Sequence, residues 1–443
     1  MGTGPTNESG AVGVSEGPRR ATPGDPAAPV LGRRDLNRSL WMVALGLLLT
    51  TLGQTSVIGA LPFRLLFKDK LHMSASQQAV FLAISTAAWY FKPLAGLLCD
   101  SFPLFGTRRR SYIILSSALA GACWLLFCVA NSYAQFLVLT LILNAMMVIS
   151  STAIGGLLVE AGQTGGMTGR LSSVRYAIEN IINIITGPLG GFLATLSFVW
   201  TGSIGAGLLW VLVPVTWVLL HEPRRAHRDT TVWRTTAVQL RAIVRSHTMW
   251  ATSGLMFLVF IAPGFGIPLN YYQLDVLHLS PEFIGVLQML GGVGGILAAG
   301  LYALLCKRYR LLPLLYLGVL LNAASSILYL GYHTRNAAML IDFSNGFLGY
   351  LGILPLFDLA ARATPKGSES FGYALIMSVY NVAVFAVSQP IGAWLYDLWH
   401  QDLMKLVWLN SGTSLLAFVL IPFLPRILTA TSESDTTAAA SST

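Results

Sequence analysis

Ionisable and amide side chains are scarce in this chain, and the few that interrupt its apolar stretches are where chemistry could reside. Lys92 lies within one apolar run, and Asp100 follows shortly before the basic cluster Arg108, Arg109 and Arg110. Arg175, Glu179 and Asn183 recur at four-residue spacing, so on a helix they share one face. Gln54, Asn144, Asn270, Gln273, Asp342, Asn345, Asn381 and Gln389 are amides or acids in otherwise apolar surroundings. Groups of this kind suit reversible ion pairing and hydrogen bonding more than the making of bonds. The Arg175–Glu179 pair either satisfies itself or exchanges partners with a bound solute. Lys92 either snorkels towards an interface or attracts an anion. An acid beside three arginines is a pair whose breaking biases a two-state element; the alternative is that the arginines only anchor a loop.

Bond-making chemistry finds little support. Gly291-Gly292-Val293-Gly294-Gly295 lacks the Lys-Ser/Thr ending of a phosphate loop and falls inside an apolar run, where small residues allow close helix packing. Cys99, Cys123, Cys128 and Cys306 lack zinc-site spacing and read as structural thiols. No histidine pair has metal spacing within a helix, and there is no nucleophile motif. The chain is therefore expected not to be an enzyme, to bind no metal and to need no cofactor.

The elements that must position these residues follow from composition. Of 443 residues, 54% are hydrophobic and 11% charged, with a mean hydropathy of +0.64. A soluble domain carries roughly 25% charged residues, so this chain could not cover a water-facing surface. A bilayer removes the requirement. The net charge of +9 comes from basic residues scattered in short loops, a pattern of loop retention on the cytoplasmic side and not of nucleic-acid binding.

Apolar runs predict an all-α membrane protein with twelve transmembrane helices, at 40–66, 74–98, 111–130, 134–159, 171–196, 199–221, 249–275, 281–305, 311–332, 336–362, 368–396 and 402–425. The first run begins near Leu40 and is too long for the apolar core of a cleaved signal peptide. The expected organisation is a disordered cytoplasmic tail (1–39), a six-helix half (40–221), a central cytoplasmic loop (222–248), a second six-helix half (249–425) and a disordered tail (426–443). With both termini inside, 22 Lys and Arg fall on the cytoplasmic side and five outside: Arg64, Lys68, Lys70, Arg335 and Lys405. Pro263-Gly264-Phe265-Gly266-Ile267-Pro268 is expected to break the seventh helix, either beside a cavity or as a plain kink.

A faint repeat relates the halves. Gly187-Pro188-Leu189-Gly190-Gly191 parallels Gln389-Pro390-Ile391-Gly392-Ala393, and the same offset sets Glu160 against Arg362 and Glu179 against Asn381. Two related six-helix halves are the plan of the major facilitator superfamily. The stretch from Lys92 through Asp100 to Arg110 resembles that superfamily's loop between helices two and three, where acid and arginines latch one conformation. The second half keeps Gly300 and Lys307-Arg308 but shows no equivalent acid.

More specifically, the chain resembles the folate–biopterin transporter family. The resemblance rests on Lys92-Pro93-Leu94-Ala95-Gly96 through Asp100, Pro103, Gly106 and Arg108-Arg109-Arg110-Ser111-Tyr112. It continues in Leu279-Ser280-Pro281-Glu282-Phe283-Ile284-Gly285 with Gly300-Leu301-Tyr302, and in Leu359-Ala360-Ala361-Arg362-Ala363-Thr364-Pro365-Lys366-Gly367-Ser368-Glu369 with Tyr373 through Asn381. One departure stands out. At the end of the fourth helix Glu160 remains, but the family's preceding acid is Gly155 or Gly156 here and Ala161 follows the glutamate.

The resemblance implies an alternating-access carrier for folate or a related pteridine. An amino-bearing pterin suits a carboxylate acceptor, with Glu179 or Asp342 in that role, and a glutamate tail suits Lys92 or Arg175. Gln54, Asn144 and Asn381 are further substrate-binding candidates, on helices that line the superfamily's cavity or in the repeat-related region. Asp100 with Arg108, Arg109 and Arg110 would form the latch. Proton coupling is expected through Glu160, Glu179 or Glu369. The departure at Gly155 and Gly156 leaves open a carrier for another polar or anionic solute, such as a peptidoglycan fragment or a nucleoside-like compound. A receptor or scaffold is the rival from another class, and polar groups spread through both halves argue against it. The expected setting is a multi-pass monomer in a bacterial inner or plasma membrane, with a plastid envelope as the alternative.

Overall fold

The structure is a computed structural model of the whole chain, and it describes residues 33–107, 109–165, 168–222, 238, 240, 241, 243–364 and 369–424. The helices of the first part are α1 (Arg33–Leu52), α2 (Ala60–Asp69), α3 (Ala75–Ser85), α4 (Ala87–Tyr90), α5 (Lys92–Ser101), α6 (Arg110–Phe127), α7 (Tyr133–Gly165), α8 (Thr168–Thr195) and α9 (Phe198–Leu219). The second part holds α10 (His247–Phe260), α11 (Gly266–Tyr271), α12 (Pro281–Arg308), α13 (Leu311–Ile327), α14 (Arg335–Ala363), α15 (Glu369–Asn381), α16 (Gln389–Leu398) and α17 (Leu403–Leu415). Eight stretches of the described residues are long and apolar enough to cross a membrane. The first helix starts at Arg33, several residues before the expected position 40.

Three of the expected apolar runs are interrupted, and each interruption has a local cause. The run 40–66 divides into α1 and α2 around Gly53–Gly59. The indole N–H of Trp124 donates to the carbonyl of Gly53 (2.9 Å). A Cβ at Gly59 would lie 2.8 Å from the same ring, so the bend wraps around one buried tryptophan. The run 74–98 divides into α3, α4 and α5 at Thr86 and Phe91. The run 249–275 divides at Pro263-Gly264, as expected, and ends in a π-helical turn at Tyr272–Val276. A second π-helical stretch, Val382–Ser388, joins α15 to α16.

Backbone approach between the two parts of the chain is closest where α8 meets α12. A Cβ on Gly285 would lie 2.4 Å from the carbonyl oxygen of Gly187, and one on Gly187 would lie 2.5 Å from that of Gly285. Small residues permit such contact in a bilayer, where helix association relies on packing.

Three apolar clusters each lie within one part of the chain. The fourth spans both, setting Leu61, Ala75 and Ala79 against Ile267, Leu269, Tyr271, Tyr272, Ala393 and Tyr396. This cluster seals the bundle at the end where α2 stops and α3 starts. Arg109, Arg110 and Glu222 lie at the opposite end, one helix length away.

Candidate functional site

The breaks in α1/α2, α3–α5 and α10/α11 release backbone groups that water cannot satisfy inside a membrane. Polar side chains meet them. Where α3 stops, Ser85 offers its carbonyl to the amide of Asn144 (2.8 Å). The indole N–H of Trp89 donates to the other end of that amide (3.0 Å). Tyr90 donates to the carbonyl of Ala83 (2.7 Å). Asn381 reaches from the second part of the chain to the carbonyl of Trp89 (3.4 Å). The ammonium of Lys92 sits 5.3 Å from the Trp89 ring centre, a cation–π arrangement. Of the predicted site residues, Asn144, Lys92 and Asn381 thus converge on one residue, Trp89, whose role the sequence did not indicate.

The break between α10 and α11 is held from two sides. Gly264 donates its N–H to the carbonyl of Ser388 (2.9 Å), and the Ser388 hydroxyl donates to Ala262 (2.6 Å). Asn410 donates to the carbonyl of Pro263 (2.9 Å). A Cβ on Gly392 would lie 1.9 Å from the Gly264 oxygen, so no larger residue fits there without separating the helices. Two acceptors beside this break have no partner among the described residues, Asn270 Oδ1 and Gln389 Oε1. Both side chains abut Gly266: Asn270 donates to its carbonyl (2.6 Å), and the Gln389 amide lies 3.5 Å from where its Cβ would be.

Asp342 stands in a different setting. Its carboxylate accepts from the hydroxyls of Tyr329 (2.7 Å) and Tyr332 (2.5 Å), and Gln273 donates to Tyr332 (2.7 Å). The acid is already hydrogen-bonded by its own part of the chain, and the stacked tyrosines fix its position. Gln54 lies half-buried in the α1/α2 turn. The side chains of Asp100, Glu160, Arg175, Glu179, Asn183 and Glu369, and the whole of Arg108, lie outside the described residues.

At the arginine end of the bundle, Glu222 takes the place of a cap. One carboxylate oxygen accepts from the backbone N–H groups of Arg109 (2.9 Å) and Arg110 (3.0 Å), at the start of α6, where unpaired N–H groups favour an anion. Arg110 also stacks on Trp217, 4.3 Å from the ring centre. In the second part of the chain, Asp358 pairs with Arg362 (2.8 Å) and accepts from Tyr302 (3.0 Å). That acid escaped the comparison of the halves because it lies inside the tenth predicted helix and not in a loop.

At the sealed end, polar links cross between the two parts. Lys68 pairs with Asp275. Asp397 accepts from the backbone N–H (3.0 Å) and hydroxyl (2.5 Å) of Ser76. Gln78 donates to Tyr271 (2.6 Å), which donates to the carbonyl of Met73 (2.5 Å). Each crossing links positions that are far apart in sequence, so single-chain patterning had no way to pair them.

The BT1 family matches residues 53–442 of this chain. The chain is similar to the folate-biopterin transporter of Synechocystis sp., with 27% identity over 381 residues, 81% of this chain and 76% of that protein. It is also similar to folate transporter 2 of Plasmodium falciparum, at 22% identity over 390 residues, 83% of this chain and 85% of that protein. Among solved structures, a D-xylose-proton symporter superposes with a TM-score of 0.66 at 14% identity, covering 88% of this chain and 98% of that one. A nucleoside transporter reaches 0.64 at 15% identity, covering 88% and 98%. The chain shares the fold of these two solved structures.

Proposed function

Because the chain belongs to the BT1 family, we propose that it is a secondary carrier moving folate or a related pteridine across a membrane by alternating access. The observation that carries this reading is the layer of broken helices around Trp89, Asn144 and Asn381. Broken helices at depth mark the binding region of carriers, since irregular backbone is tolerated there only beside protein or a cavity. The names of the curated relatives supply the substrate class. A pterin offers amino and ring N–H donors, and the buried acceptors Asn270 Oδ1 and Gln389 Oε1 are groups that such an edge would satisfy.

Twelve spans follow if each interrupted run counts once and α8 is added to the eight uninterrupted ones. The boundaries 40–221 and 249–425 are then the two halves, joined by 222–248. The Lys/Arg bias puts both termini in the cytoplasm, which makes the sealed end the outer one. Proton coupling through Glu160, Glu179 or Glu369 belongs to the same proposal, as do the latch at Asp100, a monomeric state and a plasma-membrane location. Arg175, Glu179, Gln54 and Lys92 remain proposed substrate contacts. Asp342 is kept as a candidate whose tyrosine partners must yield before it meets a ligand.

The test is uptake of labelled folic acid and 5-formyltetrahydrofolate by cells that cannot import folates. Saturable uptake, competed by unlabelled biopterin, is expected. No uptake of either compound by well-expressed, membrane-inserted protein overturns the substrate assignment.

A further inference from the structure

Arg64 sits on α2, within the apolar run 40–66 and one helical turn before Lys68. Residues four apart share a helix face, and Lys68 reaches across to Asp275 in the second part of the chain. The neighbours Leu61 and Leu65 pack into the cluster shared with Ile267, Leu269 and Tyr271. Arg64 therefore shares the face that meets the second part of the chain, level with the seal, since Leu61 one turn deeper belongs to the same cluster. Its own carbonyl accepts from Gln78 (3.2 Å), the residue that bonds Tyr271.

Its guanidinium makes no hydrogen bond, ion pair or ring contact with any described residue. Arg38, Arg241, Arg245, Arg308 and Arg310 also lack partners among the described residues, but they are exposed. Arg64 alone among these is half-buried from water. Ionisable groups inside membrane spans default to functional roles. No described residue offers this charge a counterion, whereas Lys68 on the same face has one.

We propose that Arg64 is an anion-binding residue of this carrier and takes a carboxylate of the transported molecule. The planar fork of a guanidinium matches a carboxylate bidentately, which selects carboxylates over neutral solutes of the same shape. This rests on the proposed folate and pteridine function for the identity of the substrate: in a folate the partner is the glutamyl tail, and biopterin, which has no carboxylate, passes without it. The site differs from the two cations the sequence nominated for this role. Lys92 lies on α5, facing Trp89, and Arg175 lies outside the described side chains. Arg64 reads as an outer-surface charge when loops are assigned from sequence, because it falls close to the end of its apolar run.

The experiment compares wild type, Arg64→Gln and Arg64→Lys, purified into nanodiscs, for binding of folic acid and of biopterin. Arg64→Gln is expected to lose folic acid affinity at least tenfold and to keep biopterin affinity within twofold. Arg64→Lys is expected to fall between. Equal folic acid affinity in wild type and Arg64→Gln overturns the inference. If Arg64→Gln does not fold, Arg64→Lys decides: a several-fold loss for folic acid with biopterin unchanged supports the assignment, and no difference overturns it. If wild type binds neither pteridine, the substrate reading fails separately. The anion site is then read by thermal stabilisation with p-aminobenzoylglutamate, glutarate and citrate. Stabilisation of wild type that Arg64→Gln abolishes supports the site; stabilisation equal in both, or absent from both, overturns it.

Discussion

Tyr271 is where a single atom most directly controls the seal. Its hydroxyl accepts from Gln78 and donates to the carbonyl of Met73, and both partners belong to the other part of the chain. Tyr271→Phe keeps the ring in its apolar cluster and removes both crossing hydrogen bonds. At about 0.5–1.5 kcal/mol net for each bond, the closed arrangement should lose about 1–3 kcal/mol, or roughly 5–150-fold in its population relative to the open one. The structure favours the lower half of that range, because Gln78 keeps its second acceptor, the carbonyl of Arg64. The assay is labelling of a cysteine at Ala79, a fully buried member of the seal, by a membrane-impermeant maleimide. Cys99, Cys123, Cys128 and Cys306 are free thiols and are first replaced by serine or alanine. The labelling rate tracks the open population, so Tyr271→Phe should raise it by about fivefold or more. Tyr133→Phe, on a side chain already exposed to solvent, serves as the control. A rate within twofold of the parent, in folded protein, refutes the claim that the hydroxyl holds the two parts together.

Four further outcomes follow from the same contacts. Lys68→Gln should raise Ala79 labelling less than Tyr271→Phe and less still in high salt, because the Lys68–Asp275 pair is partly exposed and such pairs contribute about 0–1 kcal/mol. Gly285→Leu should abolish monodisperse folded protein on size-exclusion chromatography, since its Cβ would lie 2.4 Å from the Gly187 oxygen; Gly300→Leu, with nothing within 4 Å, should leave the profile unchanged. Glu222→Gln should speed tryptic cleavage at Arg109–Arg110, where the carboxylate holds two backbone N–H groups. Asp402→Ala, which removes the N-cap of α17, should destabilise the protein by about 1 kcal/mol in thermal unfolding, with Asp402→Asn close to wild type. Partial burial pushes the Asp402 carboxyl up, but its hydrogen bonds and the Lys405 ammonium outweigh this and hold it below the usual carboxylate range. The cap is therefore fully present at neutral pH and is lost only as pH falls through that lowered value.

How much of this was legible beforehand depended on sequence distance. The apolar runs located each of the eight described stretches that are long and apolar enough to cross a membrane, because a bilayer imposes length and hydropathy on each run separately. Pro263-Gly264 announced its own break, since proline removes a donor and glycine admits close approach. The breaks at Thr86 and around Gly53 were silent: both depend on partners elsewhere in the chain, Asn144 in one case and Trp124 in the other. The same reason hid the site's centre. Asn144, Lys92 and Asn381 were visible as polar intrusions, but nothing in a linear pattern says that all three meet Trp89. Asp342 was visible too, while its two tyrosine donors were not, although Tyr329 and Tyr332 lie only 13 and 10 residues before it.

The missing acid near the end of the fourth predicted helix bears on substrate choice. Where the family pattern places a carboxylate, this chain has Gly155 or Gly156. The structure fills the space at Gly156 with the buried guanidinium of Arg109: a Cβ there would lie 2.9 Å from its Nε and 3.0 Å from its Cζ. The neighbouring backbone meanwhile takes its carboxylate from Glu222. A glycine at 156 is what lets the Arg109 guanidinium lie flat against α7. Gly156 is also twelve residues from Asn144 on the same helix, about 18 Å along its axis, and so is far from the layer of broken helices. A change at that depth alters how the loop between α5 and α6 is held and leaves the polar layer untouched. The departure from the family pattern therefore bears on the proposed latch and not on the molecule carried.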